Sequence, residues 1–279
     1  MAVVLITGCS SGFGMLAAVE FARRGDAVYA SMRDTLKSGQ LLDAAKEAGA
    51  SVHVVPLDVT NAASVRDAVA DVMAREGRID ILVNNAGVGM HGPVEEAEDD
   101  EVQRLFETNV FGLLRVTRAV APHMRAQRSG AIVNVSSLAG KVSAPFGGLY
   151  AATKHAVEAL GDALYFELHP FGVRVALVEP GGFETRFGDN RIMERKHNAS
   201  SPYADLDRRF EERQARLPGA GEPRDARTVA HVIVEAATSA QPKRRYLVGQ
   251  DAQLIGGLHK QMSDEDFEKA MRTALDFWD

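Results

Sequence analysis

The amino-acid sequence predicts an α/β fold, a doubly wound three-layer arrangement around an open, mostly seven-stranded parallel sheet. Short β-branched apolar runs alternate with amphipathic stretches along most of the 279 residues, which is typical of successive βα units. The apolar runs are continuous rather than alternating, as expected of strands buried on both faces of a parallel sheet. The predicted strands are Ala2–Ile6, Ala27–Met32, Val52–Leu57, Ile79–Val83, Ala131–Val135, Val173–Val178 and Tyr246–Val248.

Helices are predicted between these strands, and several of their ends carry capping residues. Asn61, three residues ahead of Ser64, is suited to capping the start of a helix. Glycines follow three helical stretches at positions that favour a positive φ angle, namely Gly25, Gly77 and Gly172. The predicted helices include Phe13–Arg24, Ser64–Arg75, Glu101–Gln127 and Tyr150–Leu168.

Composition and charge exclude several classes of protein. The formal net charge is -6 and the pI is ≈ 5.8, whereas a nucleic-acid binder more often has a basic balance, so no nucleic-acid partner is expected. The sole cysteine, Cys9, cannot form an internal disulfide, and we expect a cytoplasmic protein. The apolar run at Ala2–Ile6 is too short for a signal peptide or a membrane span, so no membrane span is expected.

No linker or internal repeat divides the chain, so we expect a single domain over residues 1–279. Residues 184–227 break the pattern, because they are rich in charge, contain three prolines and have no strand pattern. This segment is either a solvated helical excursion or a substrate lid. Residues 262–279 have the pattern of an acidic amphipathic helix that covers either a pocket or a subunit interface.

A glycine-rich turn follows the first strand and opens a helix. Residues 7–14 have the sequence TGCSSGFG, and such glycines let backbone N–H groups approach a pyrophosphate at a helix N-terminus. NNAG at residues 84–87, a serine at position 137 with YxxxK at 150–154, and PGxxxT at 180–185 follow in order. With these four motifs the sequence resembles the short-chain dehydrogenase/reductases up to about Val248.

Three segments are more specific within that family. TGCSSGFG, SMRD and AGVGMHGPVEE are similar to segments of the 17-beta-hydroxysteroid and retinol dehydrogenases. The resemblance implies a Rossmann-type fold whose single domain binds a nicotinamide dinucleotide and carries the catalytic residues. The implied reaction interconverts a hydrophobic secondary alcohol and a ketone or aldehyde.

Tyr150 and Lys154 are four residues apart on a predicted helix, so their side chains share one face. A phenol has a pKa near ~10, and a neighbouring ammonium should lower that pKa toward the range of a useful general base. The resemblance implies that Ser137 hydrogen-bonds the substrate oxygen, that Lys154 also holds the nicotinamide ribose, and that Asn109 orders a water molecule. The predicted catalytic set is therefore Asn109, Ser137, Tyr150 and Lys154.

The end of the second predicted strand bears on the choice of cofactor. Many NAD sites have a carboxylate there, but this chain has Ser31, followed two residues later by Arg33. A guanidinium can hold a 2′-phosphate, so NADP(H) is preferred over NAD(H), although Asp34 could replace the missing carboxylate. The cofactor site implied by the resemblance comprises Gly8, Ser10, Ser11, Gly12, Phe13, Gly14, Arg33, Asp58, Val59, Asn85, Ala86, Gly87, Tyr150, Lys154, Pro180, Gly181, Phe183 and Thr185. No metal is expected.

The substrate pocket is predicted outside the carboxyl ends of the strands. The segments expected there are mostly apolar, which suits a steroid- or retinoid-like alcohol or carbonyl better than a sugar or an acid. An aliphatic or aromatic ketone would fit as well. His91 is either solvated or bonded to a distal substrate oxygen. The predicted substrate residues are His91, Ser137, Phe146, Leu149, Tyr150, Phe183 and Phe187.

The main alternative function is that of a catalytically idle NADP(H)-binding regulatory or structural relative, but such proteins commonly lose the tyrosine or the lysine. Epimerases of the extended branch have a different glycine spacing, and enoyl reductases have more residues between the tyrosine and the lysine. A methyltransferase has no use for the set Ser137, Tyr150 and Lys154. Relatives are commonly dimers or tetramers, so a homodimer or homotetramer packed through residues 101–127 and 150–168 is expected.

Overall fold

A computed structural model describes residues 1–183, 185–188, 191–215, 224–276 and 278. The strands are β1 (Val3–Ile6), β2 (Ala27–Met32), β3 (His53–Pro56), β4 (Ile81–Asn84), β5 (Met90–His91), β6 (Gly130–Val135), β7 (Val173–Pro180), β8 (Ile192–Met193) and β9 (Arg245–Val248). Seven of them form a parallel sheet in the order β3-β2-β1-β4-β6-β7-β9. The order therefore reverses between β1 and β4.

Helices cover both faces of this sheet. They are α1 (Gly12–Arg23), α2 (Gly39–Glu47), α3 (Ala62–Glu76), α4 (Asp99–Phe106), α5 (Leu113–Gln127), α6 (Gly148–Leu168), α7 (Ala204–Gln214), α8 (Arg227–Thr238), α9 (Gln250–Gln261) and α10 (Asp264–Leu275). Phe21 of α1 and Ile233 of α8 belong to the core on one face, and Val69 of α3 and Val120 of α5 belong to the core on the other. Both layers bury apolar area, which is the main favourable contribution to folding.

The predicted doubly wound fold is confirmed, and each predicted strand has a counterpart in the sheet. The helix start at Asn61 is also confirmed, since its side chain accepts hydrogen bonds from the backbone N–H groups of Ala63 and Ser64 at 2.9 and 3.2 Å. Positive φ angles are found at the three predicted capping glycines, Gly25, Gly77 and Gly172. Local capping chemistry therefore sets several element boundaries.

The helix predicted over residues 101–127 is interrupted in the structure. Residues Glu107–Gly112 form a π-helical turn between α4 and α5, and such wider turns are frequent at functional sites. The side chain of Asn109 in this turn is buried and bonds both backbone groups of Val88, accepting from its N–H at 2.8 Å and donating to its carbonyl at 2.9 Å. This tertiary contact is not encoded in the helical periodicity.

The segment over residues 184–227 contains both a helix and a short strand. The helix is α7, and β8 pairs in parallel with β5, although no strand pattern was evident there because two residues are too few to show one. Residues 184, 189, 190 and 216–223 of this expected lid lie outside the described part. At the C-terminus α10 packs on α7, with Leu275 in a cluster with Phe146 and Phe210. Among the described residues, no helix combines the length and the apolar character needed to cross a membrane.

Candidate active site

A large cavity extends along the carboxyl ends of the strands. Its volume is ≈ 1950 Å³, and its walls come from the segments that follow β1, β2, β4, β6 and β7. In doubly wound sheets this edge, where the strand order reverses, is the usual place for a ligand. The predicted site residues are therefore expected on the wall of this cavity.

The glycine turn after β1 forms one wall of the cavity. Gly8 and Gly12 have φ angles of 74° and 61°, a left-handed conformation that glycine adopts without a steric penalty. A Cβ atom on Gly8 would lie 2.9 Å from Cα of Ala86, so the turn touches the segment after β4 backbone to backbone. Helix α1 begins at Gly12, and its free N–H groups are suited to binding an anion.

Asn85 ties these two segments together. Its side chain donates hydrogen bonds to the carbonyls of Thr7 and Gly8 at 2.9 and 3.1 Å. In return, the Thr7 hydroxyl accepts from the backbone N–H groups of Asn85 and Ala86, both at 3.0 Å. Gly14 is not part of the cavity wall but lies behind the turn, where a Cβ atom would come within 2.6 Å of the Gly8 carbonyl. Its role is therefore one of close packing.

The structure brings Ser137, Tyr150 and Lys154 together on the cavity wall. Helix α6 presents Tyr150 and Lys154 on one face, with Nζ of Lys154 5.7 Å from the centre of the Tyr150 ring. Ser137, at the end of β6, has its hydroxyl within hydrogen-bonding reach of the Tyr150 phenol. The hydroxyl also accepts from the Ala139 backbone N–H at 3.1 Å, which fixes the Ser137 rotamer.

The expected lowering of the Tyr150 pKa is not found in the structure. Burial raises the pKa of Tyr150 to about 12, and this outweighs the opposing effects of the Ser137 hydrogen bond and the Arg191 charge. The ammonium of Lys154 donates instead to the Val135 carbonyl at 2.9 Å. Tyr150 is therefore a protonated phenol at neutral pH, a state suited to donating a proton to a carbonyl oxygen.

Lys154 itself is 6% exposed. Burial lowers the pKa of Lys154 to about 8, while the Glu158 carboxylate opposes this shift. Asn109 is not on the cavity wall, but its Oδ1 and Nζ of Lys154 both lie close to Gly87, 3.3 and 3.9 Å from the position of a Cβ atom there. Asn109 also donates to the Thr153 hydroxyl at 3.1 Å and so links the π-helical turn to α6.

At the end of β2, Ser31 does not face the cavity, contrary to its expected place in the cofactor site. Ser31 is fully buried and its hydroxyl has no hydrogen-bond partner, so it is Met32 and Arg33 that line the cavity there. Asp34 also lines it, but its carboxylate accepts from the Leu36 backbone N–H at 3.1 Å and caps a short 3-10 helix. The last two residues of β2, Ser31 and Met32, therefore offer no carboxylate to the cavity.

The other residues predicted to bind the cofactor also line the cavity. Asp58 is held in place because its Oδ1 accepts from the backbone N–H and the hydroxyl of Thr60 at 2.9 and 2.8 Å. The predicted cofactor residues found on the wall are Gly8, Ser10, Ser11, Gly12, Phe13, Arg33, Asp58, Val59, Asn85, Ala86, Gly87, Tyr150, Lys154, Pro180, Gly181, Phe183 and Thr185.

Most of the predicted substrate residues line the cavity as well. Those on the wall are His91, Ser137, Tyr150, Phe183 and Phe187. Phe146 and Leu149 lie behind it. Phe146 is buried, with its ring centre 5.7 Å from that of Phe210, and Leu149 packs in a cluster with Met90 and Leu105. Phe210 packs against Phe146 and Ile192 against Leu149, so these two side chains support the wall from behind.

Several residues that shape the site carry no recognisable signal of that role in the sequence. Asp251, in the first turn of α9, accepts from the Gly182 backbone N–H at 2.8 Å and pairs with Arg224 at 2.6 Å, which fixes the turn after β7. Helix α10 and the residues after it also reach the cavity, through Phe267, Met271, Leu275 and Trp278. The pattern of aromatic and aliphatic residues predicted an amphipathic helix, but the sequence did not show which part of the protein it packs against.

These features define a class of protein. A turn that leaves no room for a side chain at Gly8, an adjoining helix N-terminus and a long cavity fit a dinucleotide, and the Ser–Tyr–Lys group adds a proton donor. The chain belongs to the short-chain dehydrogenase family, whose model matches residues 2–196. It is thus an oxidoreductase of CH–OH or carbonyl groups, and the family uses NAD(P)(H).

Individual relatives agree with this assignment. The chain is 41% identical to 3-ketodihydrosphingosine reductase of Bacteroides thetaiotaomicron, over 73% of this chain and 72% of that protein. It is 40% identical to retinol dehydrogenase 8 of Bos taurus, over 87% and 80%, which confirms the predicted likeness to retinol dehydrogenases. A short-chain dehydrogenase structure from Streptomyces avermitilis superposes with a TM-score of 0.80 at 34% identity, covering 99% of this chain and 97% of that one.

The buried ammonium of Lys154 is expected to lower the free energy of unfolding of the folded protein at neutral pH. Its pKa is near ~10.4 in an unfolded chain and about 8 when folded, so between these values the unfolded state binds more protons and stability rises with pH. Below pH 8 the folded protein carries the full cost of the buried ammonium. We expect Lys154→Met to raise the free energy of unfolding at pH 7 by on the order of 1–3 kcal/mol and to abolish turnover.

Urea unfolding at pH 7 and at pH 9.5 measures this effect. The increase in the free energy of unfolding caused by Lys154→Met should be smaller at pH 9.5, because Lys154 of the folded wild type has already lost its proton there. Lys46→Met, at an exposed lysine of α2, is the matched control and should change stability by less than about 0.5 kcal/mol. A gain in stability from Lys154→Met that is equal at both pH values, or no gain at pH 7, would contradict this explanation.

Proposed function

We propose that the protein is an NADP(H)-dependent oxidoreductase that interconverts a hydrophobic secondary alcohol and the corresponding ketone, or an aldehyde and its primary alcohol. The observation that carries the proposal is the Ser137–Tyr150–Lys154 group on the wall of a cavity that continues into an apolar region. The bound nicotinamide would supply or accept the hydride. The protein's own side chains would hold the carbonyl and supply or accept the proton.

The proposed chemistry assigns one task to each side chain. In reduction, the Tyr150 phenol donates its proton to the carbonyl oxygen as negative charge develops there, and the Ser137 hydroxyl stabilises the same oxygen. Lys154 holds the nicotinamide ribose and provides a positive charge that favours the phenolate once the proton has left. Asn109 positions the π-helical turn beside Lys154, where a water molecule can return a proton from solvent. Oxidation uses the same groups in reverse.

The substrate class follows from the lining beyond Tyr150. Phe187 packs edge-on against the Tyr150 ring with centres 5.9 Å apart, and Phe183, Phe267, Met271 and Leu275 extend the apolar wall. Such a lining suits a bulky apolar molecule, including a steroid- or retinoid-like one. The names of two relatives, a 3-ketodihydrosphingosine reductase and a retinol dehydrogenase, support a ketone or alcohol on a large apolar body.

A carbonyl panel tests this proposal. Purified protein with NADPH should turn over bulky apolar ketones and aldehydes, such as steroids, retinal and long-chain ketones, and not small polar ones. Tyr150→Phe should abolish turnover while NADPH still binds. Tyr165→Phe, on the same helix but away from the cavity wall, is the matched control and should keep wild-type rates. Tight NADPH binding without turnover of any compound would favour the idle regulatory relative instead.

The preference for NADP(H) rests on the end of β2. Arg33 is exposed at the cavity wall, and its guanidinium could hold a 2′-phosphate through charge-assisted hydrogen bonds. Met32 occupies the strand's last position, where it offers no charge to repel a phosphate. The Asp34 carboxylate is already used as a helix cap, which makes it less available to ribose hydroxyls. Ser11 in the glycine turn adds a donor.

Arg33→Ala should weaken NADPH binding and leave NADH binding unchanged. Loss of a hydrogen bond to a charged group costs about 1.5–3 kcal/mol, equivalent to roughly 10- to 150-fold in Kd. Fluorescence titration with both nucleotides measures the two constants. Arg24→Ala, at the far end of α1, is the control and should alter neither. The preference for NADP(H) is refuted by similar wild-type constants for NADPH and NADH.

The 184–227 segment and α10 would together form the substrate lid and its support. Phe187 and Phe210 from the segment line the cavity, and so do Met271 and Leu275 of α10. Contacts between α7 and α10 join the two elements into one wall. The proposed C-terminal role is therefore to cover the pocket rather than to form a subunit interface, since the apolar side of α10 is already used.

Subunit association is proposed through α5 and α6. Phe111, just before α5, and Phe166 on α6 are 49% and 66% exposed, and large exposed aromatic side chains are typical of association surfaces. Light scattering should give the mass of a dimer or tetramer, and Phe166→Glu should shift that mass toward the monomer. A monomeric wild-type protein would overturn the proposed association.

A further inference from the structure

A cluster of histidine and carboxylate side chains joins the 184–227 segment to the body of the protein. His91 Nε2 lies 3.0 and 3.1 Å from the two carboxylate oxygens of Asp207, and His197 Nε2 lies 2.7 Å from one of them. One ligand atom from each residue lies within 4.8 Å of the others. His91 comes from β5, Asp207 from α7 and His197 from the segment between β8 and α7, so the cluster connects three parts of the fold.

A further carboxylate orients the cluster from outside. Nδ1 of His197 lies 3.1 Å from Oε2 of Glu96, and the Ser201 hydroxyl holds both Glu96 oxygens at 2.8 Å. A carboxylate on the far nitrogen of a histidine is the usual outer partner of a metal-binding imidazole, because it fixes the ring and raises its basicity. Here the arrangement directs Nε2 of His197 toward Asp207.

A further buried carboxyl group, that of Glu194, lies beside the cluster. Glu194 is 4% exposed, and neither of its carboxylate oxygens has a hydrogen-bond partner. Its carboxylate packs against Gly92, the residue after His91, so closely that a side chain there would collide with it. Burying a carboxylate without a partner is costly. With Glu96 and Asp207, three carboxyl groups thus lie around two imidazoles, a setting that favours a bound cation.

We propose that His91, His197 and Asp207 form a binding site for Zn²⁺. Two imidazole nitrogens and one carboxylate are donors that zinc prefers, whereas Mg²⁺ and Ca²⁺ favour all-oxygen sites. Zinc bonds of about 2.0–2.2 Å at tetrahedral angles separate ligand atoms by about 3.3–3.6 Å. The distances of 3.0 and 2.7 Å from Asp207 to the two histidines would therefore widen on binding, by about 0.3–0.9 Å, and all three ligand atoms already lie within 4.8 Å of one another.

A bound Zn²⁺ would connect the 184–227 segment to β5 and would keep one of its four coordination positions free for another ligand. His91 lines the cavity, and its side chain is 21% exposed, so this position can be reached by water or by an oxygen atom of a ligand. Phe146 shields the other side, with its ring centre 5.9 and 6.1 Å from those of His91 and His197. The inference does not depend on the proposed reaction, since metal binding is measured directly.

Equilibrium dialysis of tag-free, EDTA-treated full-length protein against Zn²⁺, with metal analysis, tests the site. We expect about one Zn²⁺ per chain, and no comparable uptake of Mg²⁺. His197→Gln and Asp207→Asn should remove the uptake. Glu96→Gln should keep the stoichiometry but weaken binding by about 10- to 100-fold, the usual cost of losing an outer partner. His231→Gln, at a histidine that is 60% exposed on α8, is the matched control and should bind normally.

Substitution of the wild type with Co²⁺ gives a readout that needs no variant. A tetrahedral nitrogen–oxygen site should produce intense visible absorption bands, which are displaced by Zn²⁺. Far-UV circular dichroism shows whether each variant remains folded. A wild type that takes up no Zn²⁺, or uptake that persists in folded His91→Gln/His197→Gln protein, would overturn the site and leave a purely hydrogen-bonded network.

Discussion

The positive charge of Lys154, buried beneath the end of β6, is the constraint on which the geometry of the site depends. A lysine that is 6% exposed must be held by polar partners because burial disfavours its charged form. Here the Val135 carbonyl accepts its hydrogen bond, and Glu158 one turn further along α6 provides a compensating charge. The position of α6, and with it that of Tyr150, is thus tied to the end of the sheet.

The remaining walls of the site are fixed by backbone contacts rather than by side-chain packing alone. The turn after β1 meets the segment after β4 through glycine, and Asn85 and Thr7 exchange hydrogen bonds across the gap. Asn109 fixes the π-helical turn on Val88 in the same way. These bonds fix the end of the cavity at the glycine turn, whereas the proposed substrate end is lined by α7 and α10, whose mutual packing is mostly apolar.

The sequence predicted the parts of this arrangement that depend on local patterns. Strand runs, the Asn61 cap and the glycine turn all follow from spacing and residue type, and so does the shared face of Tyr150 and Lys154. Features that depend on distant contacts could not be predicted in this way. The break at Asn109, the burial of Ser31 and the raised pKa of Tyr150 each arise from neighbours far away in the chain, and so does the partnership of His91 with Asp207.

The central claim is that Tyr150 delivers the proton to a carbonyl that receives a hydride. Its most direct test is single-turnover reduction of an apolar ketone by NADPH that carries deuterium at both C4 positions of the nicotinamide, with mass analysis of the alcohol. The account predicts deuterium on the carbinol carbon with wild-type protein, and a rate lower by about 10²- to 10⁴-fold in Tyr150→Phe. Absence of deuterium in the alcohol, or transfer at the wild-type rate in the variant, would contradict it.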